Sequence, residues 1–193
     1  MFKNLFSKYL KPAEKEKPMG TPADTLVAQH PDRTSQLLGP VYDYLKPMMP
    51  YSQVPQDLYM AVFYPVARKW PSNQEFSPAV RKVNPGIVKV QDYVDKVEAA
   101  SKRFRPVLSA AEQNALNVTS KKLGVTADSL YKLVNFESGW DPQAVNKYTG
   151  ARGLIQFMPK TAAGMGFAAA MSILPLLVVG GVVYFYLHRR GII

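Results

Sequence analysis

The 193-residue chain has no cysteine and two histidines, His30 and His188. The first absence excludes disulfides, thiolate nucleophiles and cysteine-ligated zinc. The second leaves histidine-rich metal chemistry without ligands, and no metal or organic cofactor is expected. Acids are scarce beside bases, 14 against 24, and the net charge of +10 divides as +3 over residues 1–17, +5 over 18–160 and +2 after 187. So basic a surface suits nucleic acid, anionic lipid headgroups or an acidic cell envelope. No aromatic-basic nucleic-acid motif accompanies the charge, so no specific nucleic-acid site is expected. The first residues do not read as a secretory signal: Phe2, Leu5, Phe6, Tyr9 and Leu10 are interleaved with Lys3, Lys8 and Lys11 instead of forming a continuous apolar run. Residues 1–17 read as a basic amphipathic arm and linker, suited to a membrane surface or a partner, or as a frayed arm.

Long apolar runs are likewise absent until residues 167–187, which hold 21 residues without a charge before His188, Arg189 and Arg190. As a helix this run spans roughly 31 Å, the thickness of a bilayer core, and it is expected to be a single transmembrane anchor. Tyr184 and Tyr186 stand where an aromatic belt belongs, and the two arginines of the tail at 188–193 mark the cytoplasmic side. The competing reading is a buried core helix. Between arm and anchor, residues 18–166 are expected to form one mainly helical domain. Helices are expected at 35–46, 57–64, 90–104 and from the Ser109/Glu112 capping box to Gly124. Residues 66–89, with Pro71, Pro78, Pro85 and Gly86, read as a long irregular connection, and 146–152 as a small hairpin or turn.

The densest information lies in two short stretches, Glu137-Ser138-Gly139-Trp140 and Gly150-Ala151-Arg152-Gly153-Leu154-Ile155-Gln156-Phe157-Met158-Pro159. After an N-cap at Thr126, Leu130, Leu133, Val134 and Glu137 follow the spacing of one buried helix face, so an acid sits on an apolar stripe. Loss of hydration there disfavours the charged carboxylate and raises its pKa, which suits a general acid near neutral pH.

These two stretches together resemble the catalytic core of the lytic transglycosylases with a goose-type-lysozyme-like fold, in which a Glu-Ser pair closes one helix and Gly-Leu-x-Gln-x-Met-Pro opens the next. The resemblance covers about residues 130–165 and implies a mainly α, α+β lysozyme-like fold, peptidoglycan as substrate, and Glu137 as acid and base. It also implies substrate contacts from Ser138 and Gln156, while Asn146 is placed to reach an acetamido sugar or merely to build a turn. Arg152 and Lys147 are either simply solvated or placed to meet peptide carboxylates. A third family motif, with a tyrosine facing the catalytic acid, is expected downstream of Glu137. The segment from Pro55 to Pro65 resembles its phage-encoded form and lies upstream, which makes Tyr64 the candidate and suggests a circularly permuted domain whose old ends are bridged near Arg105 and Pro106. The expected protein is a membrane-anchored lytic transglycosylase of a phage virion, forming 1,6-anhydro products in the host periplasm during genome entry, with other virion proteins as partners. A hydrolytic muramidase, a wall-remodelling enzyme of a bacterial secretion apparatus, and a non-catalytic membrane or vertex protein remain alternatives.

Overall fold

The computed structural model describes residues 20–49 and 54–168. The expected arm at 1–17, the tail at 188–193 and residues 169–187 of the expected anchor lie outside the described residues. Among the described residues, no helix is long and apolar enough to cross a membrane.

The described chain is mainly helical: α1 (Pro22–Gln29), α2 (Arg33–Gln36), α3 (Tyr42–Leu45), α4 (Pro55–Phe63), α5 (Pro78–Val83), α6 (Val90–Arg103), α7 (Ala110–Leu123), α8 (Ala127–Ser138) and α9 (Pro159–Gly164). Their limits follow from local chemistry. In α7, Ser109 and Glu112 satisfy each other's backbone N–H groups, and Gly124 stops the helix in the left-handed conformation at φ 70°. In α8, Thr126 accepts the Ser129 N–H at the start and Gly139 turns the chain at φ 63° at the end. The α1 helix was not expected from sequence, although Thr21-Pro22-Ala23-Asp24 holds the signal, a reciprocal Thr21/Asp24 capping box with proline in the first turn.

The expected helix at 35–46 is interrupted. A π-type turn at Leu37–Val41 separates α2 from α3, because Pro40 has no N–H to give and Gly39 leaves helical geometry at φ −104°, ψ −107°. A side chain at Gly39 would also press within 2.9 Å of the His30 ring. Residues 66–89, expected to be irregular, contain the short helix α5 capped by Ser77 and one isolated bridge between Glu75 and Lys89. The small hairpin expected near 146–152 is a three-limbed bend, with Val145 bridged to Arg152 and Arg152 to Phe157.

The α8 helix is the axis of the core. Leu130, Leu133 and Val134 are fully buried, and α4, α6 and α7 pack around the helix. Trp140 closes the lower end of this core, fully buried, its indole N–H directed at the Tyr131 carbonyl and its own carbonyl accepting from Arg33. The early and late parts of the chain are stitched together: α1 packs on α9, Asp24 pairs with Arg152 at 2.5 Å, and the Phe167 ring meets His30 edge-on. The buried Gln36 side chain donates to the carbonyls of His30 and Pro142 and accepts the Leu154 N–H at 2.9 Å.

Candidate active site

Glu137 stands at the last turn of α8, where the buried stripe of the helix reaches a cleft of about 380 Å³. Its walls come from α6 (Lys96, Ala99, Ala100, Arg103) and from the turn after α8 (Gly139, Asp141), with Ser138 beside the acid. From the side away from the cleft, the fully buried Tyr93 of α6 donates its hydroxyl to Glu137 Oε1 at 2.5 Å. No other described residue donates a hydrogen bond to this carboxyl.

Tyr93 is held in turn by aromatic packing: Phe63 of α4 stacks on it at 4.3 Å between ring centroids, and Phe136 meets it edge-on at 5.4 Å. Beneath lies a polar clamp joining α4, α6 and α8. Tyr59 donates to Glu98 at 2.9 Å, and Lys132 bridges Glu98 and Asp128, both at 2.7 Å. The helices that carry acid and tyrosine are therefore tied together by both apolar and ionic contacts.

Desolvation dominates the electrostatics. Burial pushes the Glu137 pKa up from an ordinary 4.5 to about 7, while the Tyr93 hydroxyl, which favours the carboxylate, pulls it down. Tyr93 itself is raised well above its usual value, first by burial and then by the nearby Glu137 charge. It stays a neutral donor at physiological pH. An acid with a pKa close to neutrality, one hydroxyl donor and an open cleft in front can release and retake a proton.

The other residues singled out in the sequence fall in distinct places. Ser138 lines the cleft next to Glu137, with its hydroxyl bonded back to the Val134 carbonyl at 3.1 Å. Gln156 lies in the three-limbed bend at φ 53°, its side-chain amide donating to Gly153 O at 3.0 Å, and it does not line the cleft. Asn146 Oδ1 accepts the backbone N–H groups of Tyr148 and Thr149, so the side chain builds the turn. Tyr64 packs against Trp70 and Phe76, and the tyrosine on the acid is Tyr93, not Tyr64. Arg152, expected to be available for peptide carboxylates, is engaged by Asp24. Asp141 accepts the Gln143 N–H at 2.8 Å and stabilises the turn after α8.

Tyr93 was missed in the sequence because its partner lies 44 residues away. The available signal was a tyrosine on the apolar stripe of α6 with Val90, Val94 and Val97. Among the described residues, no group of histidines and acids could hold a metal ion.

Residues 114–174 match the family model of the transglycosylase SLT domain. The match supports a lytic transglycosylase family. The match opens within α7 and includes the whole of α8, the turn after it, the three-limbed bend and α9, so the acid at Glu137 lies inside it. The helices α1 to α6, which supply Tyr93 and one wall of the cleft, lie outside it. No curated protein and no solved structure matches the chain.

Proposed function

We propose that the chain is a lytic transglycosylase that cleaves the β-1,4 bond between N-acetylmuramic acid and N-acetylglucosamine with Glu137 as both acid and base. The observation that carries the reading is the Glu137 carboxyl at the cleft wall, desolvated to a pKa of about 7 and, among the described residues, accepting a hydrogen bond from the Tyr93 hydroxyl alone. In its protonated form Glu137 gives its proton to the glycosidic oxygen as the bond from that oxygen to the muramyl C1 breaks. The resulting carboxylate then takes the proton of the C6 hydroxyl, whose oxygen bonds to C1 and closes a 1,6-anhydro ring. No water is consumed, and Glu137 ends as it began. The route needs one carboxyl group, in contrast to glycosidases with two. This fits a cleft whose other lining carboxylate, Asp141, is committed to its own turn. Ser138, beside the acid, is the polar side chain placed to touch the sugar.

The domain is read as a circular permutation. Support comes from α1 packing directly on α9, from the Asp24–Arg152 pair, and from the supply of the tyrosine by a helix upstream of Glu137. Joining residue 166 to residue 20 and opening the chain near 105 should then give a folded domain. The anchor at 167–187 and a virion role in opening the cell wall during genome entry rest on the apolar run, its basic stop and the phage-like segment from Pro55 to Pro65.

The deciding experiment is digestion of purified peptidoglycan by the full-length chain and by Glu137→Gln, with mass spectrometry of the soluble products. Anhydro-muropeptides from the parent alone are expected. Products with free reducing ends would establish a muramidase instead, and glycan binding without Glu137-dependent turnover would establish a structural protein.

A further inference from the structure

The helices α4 and α8 both meet α6 at the same two places. At the first, the Tyr93 ring of α6 stacks on Phe63 of α4 at 4.3 Å between centroids, and its hydroxyl goes to Glu137 of α8. At the second, one oxygen of Glu98 accepts the Tyr59 hydroxyl of α4 at 2.9 Å and the other accepts the Lys132 ammonium of α8 at 2.7 Å. Tyr59 and Phe63 stand one turn apart, so a single face of α4 serves both places. Tyr93 and Glu98 are five residues apart on α6, as are Lys132 and Glu137 on α8, which is about 7.5 Å along each axis. The two places therefore form two rungs between the same helices.

One rung leaves a helix free to turn about it, and a second removes that freedom. Apolar packing between the helices is non-directional, whereas a carboxylate held on both oxygens has a set geometry. The proton chemistry at Glu137 uses the first rung and not the second. The second is also steady in charge: Tyr59 is pushed far above its usual pKa by burial and then by Glu98, and Lys132 is raised by its bonds to Asp128 and Glu98. Both keep their protons across the pH range in which Glu137 titrates.

We propose that Glu98 is a positioning residue: by binding Tyr59 and Lys132 it fixes α6 so that the Tyr93 hydroxyl stays on the Glu137 carboxyl. The inference rests on the reading of Glu137 as the acid of the reaction and adds what keeps its hydrogen bond in place. The groups facing Glu98 are Tyr59 from α4 and Lys132 from α8, with Asp128 beyond on Lys132 and Arg105 on Asp128. Those around Glu137 are Tyr93 from α6, Arg103 and Asp141 on the cleft wall, and Tyr44 from α3, which feels the Glu137 charge but gives its hydroxyl to the Ala61 carbonyl. Burial and the Tyr93 hydroxyl set the proton affinity of Glu137, so Glu98 reaches the acid by way of Tyr93.

The test is a double-mutant cycle read by carbon-13 NMR of the glutamate carboxyls in the full-length chain. There are six glutamates, and the signal of Glu137 is the one lost in Glu137→Gln. Glu98→Ala should raise the Glu137 midpoint by about 0.5 pH, because the bond that favours the carboxylate is loosened, and Tyr93→Phe should raise it further. Adding Glu98→Ala to Tyr93→Phe should then move nothing, since the bond it supports is already gone. Glu98→Gln, which keeps an acceptor, should lie close to the parent. Lys132→Met cuts the α8 arm alone and should give a smaller rise, which keeps the test open if Glu98→Ala does not fold. The alkaline limb of kcat/KM on glycan should follow the same order. An unmoved midpoint in a folded Glu98→Ala would reduce the second rung to a plain staple and overturn the proposal. So would a fall, or a rise that persists in Tyr93→Phe. Absence of Glu137-dependent glycan cleavage by the parent would sink the broader reading, while the titration would still decide whether Glu98 positions Tyr93.

Discussion

Two polar side chains, the fully buried Gln36 and the half-buried Glu137 at the cleft, are treated in opposite ways. Gln36 is fully enclosed and its amide is fully employed, two donated bonds and one accepted, linking the segment after α1 to the turn at Pro142 and the bend at Leu154. Glu137 is half-buried at the cleft and, among the described residues, receives a single hydroxyl. A satisfied buried group fixes the fold, while an under-satisfied acid keeps its proton up to near-neutral pH. The difference assigns Gln36 to architecture and leaves the Glu137 carboxyl open to proton exchange at the cleft.

The contrast can be broken at either end. The largest effect is expected from Glu137→Gln, which should lower the rate of anhydro-product formation about 10³-fold, measured by quantitative muropeptide analysis, with no loss of folded structure. Next, Gln36→Leu strands the Leu154 N–H and two carbonyls. It should cost about 3 kcal/mol of stability in denaturant melts, with any remaining folded fraction still carrying an intact acid.

Tyr93→Phe removes the hydrogen bond that favours the carboxylate, so the acid should titrate higher. The rate should fall about tenfold, and the decline in activity toward alkaline pH should begin at higher pH than in the parent, as a pH–rate profile would show. The same desolvated acid should also weigh on the fold. Its folded pKa of about 7 lies above the ordinary 4.5, so the folded state keeps a proton that the unfolded chain releases. Stability should therefore fall as pH rises through that window and level off above it. Glu137→Gln should accordingly be more stable than the parent at pH 8 by about 1–3 kcal/mol, with the gap closing below pH 5. The smallest effect is expected at Asn146→Ala, about 1 kcal/mol from two lost turn bonds, with kcat/KM little changed. A large loss in kcat/KM there would place Asn146 on the sugar.

The sequence discloses the local part of this arrangement. The caps at Ser109 and Thr126 and the stop at Gly139 are signals within one helix, and so is the misplaced acid on the stripe of Leu130, Leu133 and Val134. What it hides is pairing across distance. Nothing near Tyr93 announces Glu137, and nothing near Gln36 announces Leu154, because each meeting is made by helix packing and not by spacing. Tyr64 was the nearer match to a motif, but the fold turns its ring toward Trp70 and Phe76 and presents the tyrosine of the next long helix instead. Arg152 was misread for a similar reason, since its partner Asp24 lies in a helix more than a hundred residues earlier. The break between α2 and α3 was legible in Gly39-Pro40 and was passed over in favour of the apolar pattern around it.

Trp140 gives the turn after α8 an optical signature. The chain holds two tryptophans, and this one sits directly after Ser138 and Gly139, without solvent contact, at a left-handed φ of 66° that the surrounding packing must enforce. In a Trp70→Phe background it would be the single indole emitter, blue-shifted while the turn behind Glu137 is seated and red-shifted as soon as water reaches it. Emission colour would then report the integrity of the acid's support in real time, without substrate and without a label.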